Sequence, residues 1–177
     1  RLEIWDLNNR TVKEAAGDDC LWVGMISGDI FSASPRFIDV RALCKRAEMI
    51  LLDNQSRNNM TGFQRNGHTG VLINQLLGWE TLTTESMSMY MHARRPFRVA
   101  SKPEPEARMW VLAGFAGTIQ PWWHHIGAYH EDRRQYRTAP PLFQWHEEHE
   151  ELLVNRKPVA SVGLVYSQAN VDFYGKE

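Results

Sequence analysis

Ala47-Glu48-Met49-Ile50-Leu51-Leu52-Asp53-Asn54-Gln55-Ser56-Arg57 is the stretch on which the fold turns. Four consecutive apolar residues, Met49 to Leu52, are flanked by polar ones, so residues 47–52 read as a short strand buried in a sheet. The polar string from Asp53 to Arg57 then marks the strand's carboxyl end, with a carboxylate directly after the apolar run and a guanidinium four positions on.

Outward from this strand the pattern repeats. Cys20-Leu21-Trp22-Val23-Gly24-Met25-Ile26 is a second apolar run, closed by Ser27-Gly28-Asp29. Ahead of it, Leu2, Ile4, Trp5, Leu7 and Val12 recur at helical spacing and stop before Gly17. Residues 37–46, with Ile38, Val40, Leu43 and Cys44, read as a short helix between the two strands. Downstream, 58–70 is polar and glycine-rich and reads as a loop, 71–77 as helix, 96–100 as a short extended piece, and 104–119 as helix with Pro105 in its first turn. Residues 85–90 favour neither state. Residues 120–126 read as strand, 129–137 as a charged loop, Pro140-Pro141 as the start of a helix reaching about residue 154, and 158–166 as a last strand.

Strand and helix alternate, which predicts an α/β protein whose parallel strands are joined by helical crossovers. The two common solutions are an open doubly wound sheet and a (β/α)8 TIM barrel, and both place functional residues just beyond the strands' carboxyl ends. About four strand/helix units are present, roughly half a barrel of about 250 residues. Arg1 stands where a start methionine would, and the two ends read as those of a fragment.

Composition narrows the function classes. The 177 residues hold 20 Lys+Arg against 21 Asp+Glu, a formal net charge of −1, so no general attraction to nucleic acid is expected. The apolar runs are far shorter than the roughly 20 residues of a membrane span. A soluble protein is expected, with the cytoplasm slightly favoured. Cys20 and Cys44 are too few for a disulfide framework and read as buried free thiols. Seven Trp exceed what core packing demands and suggest flat, stackable surface.

Asp53 is the main candidate for chemistry, because a carboxylate after a buried parallel strand can act as general acid/base. The plainer alternative is a turn cap paired with Arg57. Asp29 has the same placement, although Gly-Asp is a common turn pair. Pro121-Trp122-Trp123-His124-His125, followed by Tyr129-His130-Glu131-Asp132-Arg133-Arg134, combines indoles, imidazoles and carboxylates. Indole faces stack on the C–H faces of sugar rings, and imidazoles hydrogen-bond hydroxyls near neutral pH. Alternation along a strand leaves at least one of the two indoles to packing. Glu85 and Lys102 border apolar segments and could contact substrate, with solvated surface the plainer reading.

His146-Glu147-Glu148-His149 spaces its histidines one short of the zincin pattern, and no metal or cofactor is expected. A nucleotide-phosphate cradle and a Gly-x-Ser-x-Gly elbow are both missing from the sequence.

Residues 100–108 and the 121–134 block, together with Asp53-Asn54-Gln55-Ser56-Arg57 and residues 158–168, resemble a group of glycoside hydrolases. These are large multidomain proteins in which a (β/α)8 catalytic barrel is followed by a glutamine-amidotransferase-like, beta-galactosidase trimerisation-like domain. The resemblance implies that residues 1–157 are the C-terminal half of the barrel and 158–177 the first strand of the next domain. By analogy with related barrels, a nucleophilic Asp would follow a strand upstream of Arg1, and Asp53 would be the acid/base.

The implied substrate is an oligosaccharide or glycoside. Asp29, Gln55, Arg57, Glu85, Lys102 and Tyr129 would contact it, while Trp122, Trp123, His124, His125, His130 and Glu131 shape the sugar subsite. No nucleic-acid or membrane partner is implied, and the full-length protein could be a homo-oligomer. The alternatives are a non-catalytic carbohydrate-binding barrel, or a metal-dependent hydrolase using His124, His125, His130 and Glu131.

Overall fold

The computed structural model describes residues 2–27, 39–53, 64–78, 82–86, 101–123, 132–157 and 159–174. Helix α1 (Leu2–Ala16) stops at Gly17, which takes φ +91° and closes the last turn through its N–H on the Lys13 carbonyl. It lies on the rest of the chain through Leu2 and Trp5, while the Trp5 ring meets Trp22 edge-on at 6.4 Å. Ionic and polar ties fix it further: Arg46 bonds Asp6 at 2.8 Å, and Asn9 donates to the Arg46 carbonyl at 2.7 Å.

Strands β1 (Val23–Ser27) and β2 (Met49–Asp53) follow, separated by α2 (Val40–Cys44), whose first turn is capped by Asp39 accepting from the Ala42 N–H at 2.9 Å. Then come α3 (Gln64–Leu77), β3 (Leu82–Ser86), α4 (Glu104–Ala116), β4 (Gln120–Trp122), α5 (Gln135–Glu148), α6 (Glu150–Leu153) and α7 (Gln168–Tyr174). The four strands form one parallel sheet in the order β1-β2-β3-β4, so the chain is an α/β protein. Among the described residues no helix is long and apolar enough to cross a membrane.

One face of β2 explains the main core. Ile50 and Leu52 are fully buried beside Val40, Leu43 and Cys44 of α2, Ile73 of α3 and Ile119, whereas the intervening Leu51 is only half-buried. Alternate residues of a strand point to opposite faces, so the helices cover one side of β2 and leave the other less filled. The strand is therefore not buried equally on both faces. Burial also pushes the Cys44 thiol up to about 12, with Asp39 adding to the effect, so it stays protonated as a small apolar filler. Cys20 is free as well but only half-buried.

Helix α3 begins at Gln64, inside the segment that its glycines mark as loop. Those glycines serve a close helix contact. A Cβ at Gly67 would strike the Ala113 carbonyl of α4, one at Gly70 the Gly117 carbonyl, and one at Gly117 the Gly67 backbone. Glycine weakens a helix interior by about 0.5–1 kcal/mol, and here the same glycines let two backbones touch. A second core lies between α4 and α5, where Ala107, Trp110, Val111, Phe115 and Leu142 are buried.

Helix α5 likewise starts before its expected point, carrying Pro140 and Pro141 inside it instead of at its head. Anchoring at Gln135, described below, supplies the start that the sequence assigned to proline. The strand expected at 158–166 does not form among residues 159–166. Val159, Val162, Leu164 and Val165 are exposed there, because an apolar alternation becomes a strand only where a ladder partner accepts it. The extended piece expected at 96–100 lies outside the described residues.

Candidate functional site

Parallel strands joined by helices bring every strand-to-helix connection to one edge of the sheet. Four backbone positions mark that carboxyl edge. Asp53, the last residue of β2, is in register with Ser27 of β1. One step before it, Leu52 is in register with Glu85 of β3, which pairs with Pro121 of β4. Ser86, the last residue of β3, pairs with Trp122. The row Ser27, Asp53, Ser86 and Trp122 thus crosses the whole sheet at its end. Glu85 stands one step inside it, at the level of the fully buried Leu52.

Helix α4 meets β4 at its C-terminal end, through the turn at Gly117 to Ile119. Its 13 residues run back about 20 Å, which brings its N-terminus to the carboxyl edge. There Ser101 and Lys102 enter α4, and Asp132 enters α5. The Ser101 N–H donates to Asp132 Oδ2 at 2.9 Å, the Ser101 hydroxyl to the Asp132 carbonyl at 3.4 Å, and the Gln135 N–H to the Ser101 Oγ at 3.2 Å. Arg134 grips both carboxylate oxygens through Nε at 2.9 Å and Nη2 at 2.7 Å, and adds its own N–H at 3.2 Å. The guanidinium first, then the Ser101 N–H, hold the Asp132 carboxyl well below the usual carboxylate range.

Lys102 is 4% exposed, and its ammonium lies 4.9 Å from the ring centroid of Trp110, itself 1% exposed. A cation over an indole face is favourable, more so where water is excluded. Lys102 is therefore buried against an indole instead of being a solvated surface residue.

The sequence candidates divide accordingly. Asp53, Glu85, Lys102 and Trp122 fall at or next to the carboxyl edge. Trp123 packs against the α4–α5 core, taking the structural part that one of the paired indoles was expected to play. Trp122 also lines a narrow crevice with Asn66, Phe115 and Pro121; Asn66 donates to the Trp110 carbonyl at 3.0 Å. Asp29, Gln55, Arg57, His124, His125, Tyr129, His130 and Glu131 lie outside the described residues.

Trp145 stacks on Phe115 at 5.9 Å and on His149 at 4.6 Å while staying 39% exposed. His149 Nδ1 lies 2.8 Å from the Trp145 carbonyl, and His146 packs on Phe115 at 4.9 Å, which makes this histidine pair part of the packing of α5. Among the described residues no three His, Cys, Asp or Glu side chains converge as a metal site.

Sequence reasoning missed Ser101 and Asp132 as site-forming residues. The bond that joins them spans 31 residues, so no local pattern in the sequence marked it. Compared with known proteins, the chain matches no family model, and no curated protein and no solved structure matches it.

Proposed function

We propose that the chain is the C-terminal half of a (β/α)8 barrel that hydrolyses glycosidic bonds, with Asp53 as its acid/base. The observation that carries this reading is the position of Asp53 at the carboxyl end of a parallel strand, in line with Trp122 across the sheet. The consecutive strand order adds support. A doubly wound sheet reverses its strand order, whereas four strands laid down in sequence by crossovers of one hand keep their helices on one face, as a barrel does.

In this reading Asp53 exchanges a proton with the glycosidic oxygen, and an upstream carboxylate supplies the second group that glycoside hydrolysis needs. Trp122 presents an apolar surface to the sugar ring, and the imidazoles of His124, His125 and His130 are the proposed hydrogen-bond partners of its hydroxyls. Residues 158–177 would lead into the following domain of the parent protein. Asp53→Asn in that parent is expected to lower turnover of chromogenic glycosides about 1,000-fold, the scale of a lost general acid/base, with an unchanged unfolding midpoint. Near-normal turnover rejects the assignment. Saturable glycan binding by a parent that turns over no glycoside favours the non-catalytic carbohydrate-binding barrel.

A further inference from the structure

We infer that Asp132 is a positioning residue, which sets the course of Lys102 at the carboxyl edge by clamping the chain that enters α4 to the chain that enters α5. This rests on the reading that the carboxyl edge carries the site. Lys102 follows Ser101 directly. Ser101 is held by its N–H on Asp132 Oδ2 (2.9 Å), by its hydroxyl on the Asp132 carbonyl (3.4 Å), and by the Gln135 N–H on that hydroxyl (3.2 Å). With the preceding residue fixed at both N–H and side chain, the Lys102 stem leaves the backbone in one direction, and its ammonium comes to rest over Trp110.

The carboxylate itself is oriented by Arg134, which contacts both oxygens and lies mostly in solvent, so the clasp is assembled from outside the core. Ser101 is buried, and removing its acceptor leaves an N–H shielded from water and unpaired. The start of α4 then shifts to recover a partner, and Lys102 shifts with it. Asp132 touches no substrate in this scheme. It acts through Lys102.

The test is competitive acetylation of the whole chain by trace acetic anhydride, from neutral pH to above the ordinary lysine range. Lys102, Lys45 and Lys157 are read separately by peptide mass spectrometry. In the unaltered chain Lys102 should react more slowly than the exposed Lys45 and Lys157. In Asp132→Ala its rate should rise about ten-fold, the scale of one buried hydrogen bond, while Lys45 and Lys157 stay unchanged.

Asp132→Asn keeps an acceptor for Ser101 but loses the charge that Arg134 grips, and should show a smaller rise in the same direction. It carries the test if the alanine variant does not fold. Asp132→Glu should restore part of the protection. An unchanged Lys102 in both Asp132→Ala and Asp132→Asn overturns the inference, as does a parallel rise at all three lysines, which is general loosening. Labelling requires no sugar. A selective Lys102 response beside a parent that neither binds nor turns over glycosides would keep the positioning role and reject the carbohydrate reading.

Discussion

The seam between α3 and α4 and the tract at residues 159–174 are both rich in small or apolar residues, and they end in opposite environments. At the seam, Gly67, Gly70, Gly114 and Gly117 bring two backbones into contact, with Asn66 and Ile119 filling the space beside them. In the C-terminal tract, Val159, Val162, Leu164, Val165, Phe173 and Tyr174 remain exposed, and a Cβ added at Gly163 would meet nothing within 4 Å. Apolar character in a sequence measures what a residue gains if a partner is present. The partner is a property of the fold: the seam has one, whereas in the tract Tyr166 packs against the main core and the residues just named stay exposed.

A pair of leucines makes the largest contrast. Leu52 is 0% exposed within the main core, whereas Leu164 is 85% exposed. Leu52→Ala should cost about 2–5 kcal/mol through lost burial and the cavity left behind. Leu164→Ala should stay within about 0.5 kcal/mol. Both values come from urea unfolding of the same chain. A Leu164→Ala loss comparable to that of Leu52→Ala would mean that the tract is packed in solution and would abolish the distinction.

A pair of glycines sharpens the same contrast at smaller amplitude. Gly117→Ala puts a Cβ onto the Gly67 backbone, which cannot give way as a side chain could, and α3 must back off from α4. The expected cost is about 1–3 kcal/mol, typical of overpacking. Gly163→Ala meets open space and has no left-handed φ to strain, so it should be neutral or slightly stabilising by reducing the freedom of the unfolded chain. Equal effects at the two positions would show that the seam is not a close backbone contact.

These contrasts also explain what could be read from the sequence. Strands β1 and β2 were legible because their apolar runs are short and bounded, and α4 because Pro105 marks its first turn, although Met109 and Leu112, which read as part of its packing stripe with Trp110, are exposed. β3 was not, since Leu82-Thr83-Thr84-Glu85-Ser86 has neither an apolar run nor a clean alternation and owes its place to pairing with β2 and β4. The start of α3 was hidden by glycines whose purpose depends on α4, more than forty positions on. In the site, Asp53 could be placed from its neighbours alone. Asp132 could not, because its partner Ser101 is 31 residues away, and Lys102 read as surface until Trp110 was seen beneath it.

Helix α5 lies between the two extremes, with the face that carries Leu142 turned to the core with Phe115 and the other in solvent, and it yields the smallest expected effect. His146 packs on Phe115, and burial lowers its pKa below the ordinary histidine value, with Glu150 opposing in part. The unfolded chain takes up a proton near the ordinary value of about 6.5, while the folded chain resists until lower pH. Between those two points the unfolded state binds more protons, so stability rises with pH in that window, and this contribution is lost as pH falls from neutral through it. The urea midpoint should therefore be lower at about pH 5.5 than at about pH 7.5, and His146→Phe, which keeps a ring against Phe115 but removes the proton, should reduce the difference. The change is modest because His146 is only half-buried, so water screens much of the penalty. If the pH dependence survives unchanged in His146→Phe, the face of α5 toward Phe115 is as wet as the tract at residues 159–174, and α5 belongs on that side of the comparison.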